Sequence, residues 1–286
     1  MANQLILNIP HASSFIPKED LESVFLVHGK DLKKELLHMT DWYTDELFIH
    51  GIGKEIVTKV SRLVCDTERF SHDELESMSE KGMGFCYRCG YNNEEIKDFS
   101  MNYQDEVLWR YYAPHHIALT DAVQQALKKN DSALILDCHS FSDVPLPYEP
   151  NQDKNRPDIC IGTDDYHTPQ KLTEYVVHYF ERQGYSVAIN SPYSGSIVPL
   201  RYYQKDERVK SIMVEVNRRL YLEPGTNKKN ARFNGIREDL HYLEENLKEW
   251  YPGKKVWFRG LAKPSNPIFS QPVFFASPLL LKNLDK

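Results

Sequence analysis

Short apolar runs alternate along this chain with longer stretches whose apolar residues recur every three or four positions. Leu5-Ile-Leu-Asn-Ile9 reads as a first strand, running into Pro10-His-Ala-Ser-Ser14. Leu21 to Leu37 has helical spacing interrupted at Gly29, and a helix follows from Trp42 to about Ile49, with Thr40 or Asp41 as its candidate cap. A β-branched run predicts a second strand over Ile56 to Asp66. Phe70 to Phe99 is polar and punctuated by glycine, the pattern of a long functional loop. The longest helix is expected over Gln104 to Lys129, with Leu108, Tyr112, His115, Leu119, Ala122 and Ala126 on one stripe and a kink at Pro114. Ala133-Leu-Ile-Leu136 is a buried strand that leads into Asp137-Cys-His-Ser140. Beyond it lie a strand at Asp158 to Gly162, a helix at Pro169 to Gln183, and strands at Tyr185 to Asn190 and Ser211 to Asn217. A closing helix begins between Asn234 and Arg237 and runs to Trp250.

Strands alternating with helices across long gaps argue an α/β fold with a largely parallel sheet covered on both faces. No repeat or linker divides the chain, so residues 1–252 are expected to form one domain. The proline- and aromatic-rich residues 253–286 are expected to pack on it as an extension. The net charge of −6, with no basic block, argues against a nucleic-acid footprint. No apolar run approaches the roughly 20 residues of a membrane span, and the first residues lack a signal-type pattern, so the expected location is cytoplasmic. The five cysteines are then expected to be reduced. Cys86 and Cys89 form a CxxC without the second Cys or His pair that a structural zinc site needs, and the loop-like residues before it do not suit a redox helix.

Chemistry gathers where the strands end. Alternation puts Asp137 and His139 on one face, at the C-terminal end where ligands of open α/β sheets bind. An Asp-x-His pair alone reads equally well as a loop cap. His11, Asp66 with Arg69, and Glu215 with Asn217 end other runs in the same way. Two histidines from separate strands and a carboxylate suit a three-ligand catalytic zinc site with a position left for water. A further carboxylate would orient an imidazole through its second nitrogen, and Glu215 is a candidate to move the proton between water and a leaving amine. Arg62, Arg69 and Arg201 are candidates to grip an acidic substrate, since guanidinium matches carboxylate in bidentate fashion. His115 and His116 are adjacent on a helix and diverge by about 100°, which favours packing over metal ligation.

Taken in order, Asn8-Ile-Pro-His-Ala-Ser, Thr40-Asp-Trp, Ser61-Arg-Leu-Val-Cys-Asp-Thr-Glu-Arg-Phe, Gly82-Met-Gly, Asp137-Cys-His-Ser, Asn190-Ser-Pro-Tyr-Ser-Gly and Val214-Glu-Val-Asn-Arg-Arg-Leu-Tyr221 resemble the N-formylglutamate amidohydrolase family over roughly residues 5–245. That family looks distantly related to the zinc carboxypeptidases and the aspartoacylase group. The resemblance implies a three-layer α/β/α domain with a mixed central sheet, one zinc ion per chain, and hydrolysis of the N-acyl amide of an acidic N-acylated amino acid. N-formyl-L-glutamate is the first candidate. It implies His11 and His139 as zinc ligands. The carboxypeptidase relatives place a Glu three residues after the first His, where this chain has Ser14, so Asp41 is taken as the third ligand. Asp66 is the runner-up, preferred as the orienting partner of His11, with Asp137 beside His139. Glu215 is then the general base and acid, and Arg69 grips the substrate carboxylate, with Arg62, Asn190 and Arg201 as further contacts. Asp41 as a mere helix cap, Arg69 as a mere partner of Asp66, and Tyr193 as packing rather than an oxyanion donor are the competing readings. Glu68 stands where the family usually has Asn, which sets a negative charge near the expected carboxylate pocket. A carboxypeptidase-like peptidase acting on small peptides, or an inactive ligand-binding member of the fold, are the alternative functions.

Overall fold

In the computed structural model, which describes residues 4–250, all nine residues of the central strand are buried. This strand, Ala133–Phe141 (β3), is flanked by Gln4–Ile9 (β1) and by the late strand Val209–Asn217 (β6). Lys54–Val57 (β2) forms one edge of the sheet, and Ile159–Gly162 (β4) and Val187–Ile189 (β5) complete the order β2-β1-β3-β6-β4-β5. β1, β2, β3 and β6 run parallel; β4 is antiparallel to β6 and carries β5 parallel to itself. The sheet is therefore mixed and mostly parallel, with helices on both faces.

Alternation decides which residues meet which helices. Leu5, Leu7, Leu134, Leu136, Ile212 and Val214 face one side. There they pack with the helices Thr44–Phe48 (α3), Gln170–Arg182 (α6) and Phe233–Glu249 (α7), the last of which follows Lys18–Ser23 (α1), Gly29–Met39 (α2), Met101–Val107 (α4) and Ala113–Asn130 (α5) in the helix numbering. Each such fully buried side chain is worth roughly 1.5–3 kcal/mol. On the opposite face, Ile6, Ala133, Ile135 and Val209 pack against Leu119, Ala122, Val123 and Ala126 of α5.

That second face changes character half-way up the strands. Ile6 gives way to Asn8, Ile135 to Asp137 and His139, and Val209 to Ser211, Met213 and Glu215, all buried. Register sets Asn8 beside Asp137 and His139 beside Glu215 on neighbouring strands, about 4.8 Å apart. α5 thus covers the apolar lower half of the face, and a polar upper half is left at the C-terminal ends of the parallel strands. A separate apolar cluster, with Leu63, Val64, Met83, Tyr87 and Ile96 at its centre, builds the wall opposite.

Several predicted boundaries move. The strand expected to reach Asp66 pairs only over Lys54–Val57. The chain then turns, with the Val64 and Cys65 amides donating to the Ser61 carbonyl at 2.8 and 3.1 Å and the Ser61 hydroxyl accepting from Leu63. Asp66 is therefore presented by a turn rather than a strand end. The expected helix over 21–37 is two helices, α1 and α2, and Gly29, with φ +55°, begins the second. The long helix starts at Met101, where the Ser100 hydroxyl accepts from Tyr103. The disturbance expected from Pro114 takes the form of a π turn over Leu108–Tyr112, in which the Ala113 amide reaches back to the Leu108 carbonyl. Neither Thr40 nor Asp41 caps α3. That helix starts after Tyr43, which sits in the left-handed region and makes no side-chain bond to the first amides. The expected packing of residues 253–286 lies outside the described residues. No described helix is long and apolar enough to cross a membrane.

Candidate active site

The polar half of the sheet face opens into a cavity of about 420 Å³, lined among others by His11, Asp41, Arg62, His139, Glu215 and Arg218. His11 comes from the chain just beyond β1, Asp41 from the link between α2 and α3, and His139 from β3. Their donor atoms converge. Asp41 Oδ2 lies 3.6 Å from His11 Nδ1 and 3.2 Å from His139 Nδ1, and one ligand atom from each residue falls within 4.8 Å of the others. The second nitrogen of each ring is held by a different carboxylate: His11 Nε2 by Asp66 Oδ1 at 2.8 Å, His139 Nε2 by Asp137 Oδ1 at 3.1 Å. His11 Nδ1 is buried and has no hydrogen-bond partner. Two imidazoles fixed through one nitrogen, with the other nitrogens aimed at a common carboxylate, could hold a divalent metal ion.

The carboxylates are themselves fixed. Asp66 accepts from Arg62 at 2.8 Å, from the Tyr87 hydroxyl and from the Glu68 amide at 3.0 Å. Asp137 accepts from Asn8 at 2.8 Å and from the Ile197 amide at 3.1 Å. Asn8 in turn accepts from His115 Nε2 at 2.9 Å, and His115 Nδ1 takes the Thr58 hydroxyl at 3.0 Å. Burial keeps His115 neutral, with its pKa pushed down to about 3. His116 Nε2 bonds the Thr67 carbonyl at 2.9 Å. Both histidines are thus fixed in the scaffold, and His115 supports Asp137 through Asn8.

The ionisable groups of this cavity perturb one another strongly. Burial works to raise the pKa of Asp41, but His11, His139 and Arg218 hold it well below the usual carboxylate range. Burial likewise opposes ionisation of Asp66, and Arg62 and His11 override it. Burial would strip the proton from His139, yet Asp137 and Asp41 hold its pKa well above the usual value, so the ring keeps its proton between these two carboxylates. Glu215 is pushed up to about 8, first by burial and then by Asp41, and its Oε2 has no partner. Glu68 is raised to about 8 by burial and by Asp137, and its Oε1 accepts from Asn8 at 2.6 Å. Glu68, Asp137 and His139 form the second group of donors close enough to hold an ion among the described residues.

Among the residues singled out from the sequence, His11, Asp41, His139, Arg62, Arg69 and Glu215 line one cavity, with Asp66 and Asp137 directly behind the two imidazoles. Arg69 contacts Asp66, through Nε, and Glu76 only at 3.7 and 3.6 Å, and its buried Nε makes no hydrogen bond. Asn190 and Arg201 are not brought in. The Asn190 amide is spent on Thr163, accepting from its amide and donating to its hydroxyl, and Arg201 is exposed beside Tyr202. Asn217 faces the Pro157 carbonyl and Asp143 instead of the cavity. Tyr193 lines the cavity, but its hydroxyl donates to Glu149 at 2.8 Å. Cys86 and Cys89 are both free thiols.

Arg218 was missed. Its guanidinium donates to Asp41 Oδ1 at 2.9 Å, the His38 carbonyl at 2.7 Å, and the Ser140 hydroxyl and carbonyl, both at 3.1 Å. It thereby ties up the Asp41 oxygen that faces away from the histidines. Strand alternation does not reach it, because β6 ends at Asn217. The Asn217 side chain accepts from the Arg219 amide and starts a tight turn that folds Arg218 back over the strand ends.

A family model described as N-formylglutamate amidohydrolase matches residues 3–222 of the chain. Among solved structures, an N-formylglutamate amidohydrolase from Ralstonia eutropha JMP134 superposes with a TM-score of 0.72 at 24% identity, over 87% of this chain and 94% of that one. The gene product Atu2144 from Agrobacterium tumefaciens superposes with a TM-score of 0.61 at 18% identity, over 85% of this chain and 88% of that one. Both likenesses speak to the fold. A search of the curated proteins gave no match.

Proposed function

The chain belongs to the N-formylglutamate amidohydrolase family, which supports an amidohydrolase activity, and we propose that it is a zinc-dependent hydrolase of N-acylated acidic amino acids, N-formyl-L-glutamate first. One observation carries the reading: His11 Nδ1, His139 Nδ1 and Asp41 Oδ2 converge while both Nε2 atoms are held by carboxylates and buried His11 Nδ1 makes no hydrogen bond. His11, Asp41 and His139 would hold the ion. Zinc supplies a lowered pKa to water and polarises an acyl carbonyl.

The protein groups do the rest. Asp66 and Asp137 fix the ring orientation of His11 and His139, and Arg218 fixes Asp41. Glu215 Oε2, buried and unpartnered, takes the proton of the attacking water and delivers it to the amide nitrogen as the C–N bond breaks. Burial raises its carboxyl to about 8, which makes it a stronger base than an ordinary carboxylate once it is ionised. Arg69 receives the substrate carboxylate, because its contacts to Asp66 and Glu76 are the loosest of the three guanidiniums in the cavity.

The test is formate release from N-formyl-L-glutamate by protein dialysed against a chelator, then reloaded with zinc. Activity lost on dialysis and restored by one equivalent of zinc is expected. Equal activity in the metal-stripped protein would refute the zinc dependence, and no formate under any loading would refute the substrate.

A further inference from the structure

Beside the candidate active site lies a second cavity of about 340 Å³, and the two share Glu68, Arg69, Ser194 and Met213 as their common wall. Each is at the lower end of the roughly 300–1,000 Å³ typical of ligand sites. A formyl group is one carbon and its oxygen, and nothing in the chemistry of the first cavity uses the second. We propose that the second cavity takes the acyl side of the substrate and extends the substrate range from formyl to larger uncharged apolar or aromatic acyl arms; this rests on the amidohydrolase reading of the first cavity.

The linings differ in sign. The first cavity holds three guanidiniums, Arg62, Arg69 and Arg218, and is where carboxylates belong. The second has only Arg69, at the shared wall, against Glu68, Glu76, Asp137 and Asp164. Those four carboxyl groups are already engaged. Glu76 accepts from the Phe70 and Met78 amides, Asp164 from the Tyr166 and His167 amides, Asp137 from Asn8, His139 and Ile197, and Glu68 from Asn8. They would repel an anionic arm and have little left to offer a polar one.

Most of the remaining large side chains are apolar or aromatic, beside the small polar Thr67, Ser194 and Ser196. Phe70, Tyr112, Ile197, Val198, Leu200 and Tyr203 are among them. The polar tips here point into the scaffold: the Tyr112 hydroxyl donates to the Arg69 carbonyl at 2.8 Å and His116 Nε2 bonds the Thr67 carbonyl. The Tyr112 and His116 rings lie 4.2 Å apart, a ready platform for an aromatic group. Phe70 and Leu200 are 43% and 62% exposed, large side chains left in water that an apolar arm would cover. Between the cavities the wall includes Met213, an unbranched side chain able to adapt to a passing chain.

The experiment compares kcat/KM for N-formyl-, N-acetyl-, N-hexanoyl- and N-phenylacetyl-L-glutamate on the zinc-loaded full chain and on Leu200→Asp. Burying the four extra methylenes of hexanoyl is worth at most on the order of a hundredfold. Hexanoyl or phenylacetyl is expected to exceed acetyl by about tenfold or more, and Leu200→Asp to cut that ratio by a similar factor. Because the readout is a ratio within one protein, partial misfolding of the variant cancels. Cleavage of the formyl compound with no gain from a larger arm would overturn this inference and leave the amidohydrolase standing. An arm preference untouched by Leu200→Asp would overturn its location. Failure to cleave any acyl-glutamate would overturn both readings together.

Discussion

Asp66→Asn isolates one carboxylate from the metal chemistry without changing the shape of the side chain. Asp66 is fully buried and has four partners: His11 Nε2 at 2.8 Å, Arg62 at 2.8 Å, the Glu68 amide at 3.0 Å and the Tyr87 hydroxyl. Two effects then act in the same direction on zinc. The variant weakens the hold on the His11 ring, and it removes a negative charge close to the ion. Loss of a partner behind a ligand typically costs about 10–100-fold in metal affinity, or about 1.4–2.7 kcal/mol. Stability falls as well, since Arg62 keeps only Asp41 Oδ1 at 3.9 Å as an anionic partner. Breaking a buried pair on one side costs about 3–5 kcal/mol, and the remaining Asp41 contact argues for the lower end. For a domain of this size that is a Tm lowered by roughly 6–12 °C. The sign with pH is fixed by the depressed pKa of Asp66. Its stabilisation is complete above the ordinary value of 3.8 and is lost only as pH falls through its lower folded value. The wild-type advantage should therefore be full at pH 5–7 and shrink only in acid well below pH 4. Competition with a chromophoric chelator gives the affinity, and thermal melts from pH 3 to 7 give the rest. A variant that binds zinc like the wild type and melts at the same temperature at neutral pH would refute the orienting role.

Glu215→Gln should retain zinc and lose about 10²–10⁴-fold in kcat; unchanged turnover with intact metal content would remove Glu215 from the mechanism. A separate prediction concerns Glu244, fully buried in α7, which meets His50 Nδ1 at 2.8 Å. Burial, reinforced by Glu55, raises Glu244 to about 9, and burial with His241 lowers His50 to about 4, so the contact is a neutral hydrogen bond rather than an ion pair. An acid raised above its unfolded value of 4.5 takes stability away as pH climbs from about 4.5 towards 9. Glu244→Gln should thus stabilise the protein by up to about 3 kcal/mol at pH 7 relative to pH 4.5, at about 1.4 kcal/mol per unit. Urea unfolding at the two pH values reads this directly, and a variant equally or less stable at pH 7 than the wild type would show Glu244 to be ionised in the folded protein.

What the sequence made legible follows from which rules govern each residue. Period-two alternation is strict inside a ladder, so Asp137, His139 and Glu215 could be assigned to one face, and they sit on it in register. Asp41 and Asp66 lie on turns, where no period applies. They came forward through the motifs around them, and the cap and strand roles that local pattern alone suggested for them were the parts that failed. Arg218 and Asn8 fell between the two kinds of signal. Asn8 sits in an apolar strand and opens the first motif without a role of its own, yet its amide joins Glu68, Asp137 and His115. Arg218 follows a strand end and acts backwards, over β3, through a turn set by Asn217. Both do their work through hydrogen bonds between segments more than 60 residues apart or from a reversal of the chain, which composition and spacing do not encode. Asn190 and Arg201 failed for the complementary reason. They have suitable chemistry near the right motifs, but Asn190 spends its amide on Thr163, just beyond the neighbouring strand β4, and Arg201 is exposed to solvent. Residue type and motif nominate a site; the spent or unspent state of each polar atom decides membership, and among the described residues lining the cavity His11 Nδ1, Arg62 Nε, Arg69 Nε and Glu215 Oε2 are the buried side-chain atoms without a hydrogen bond.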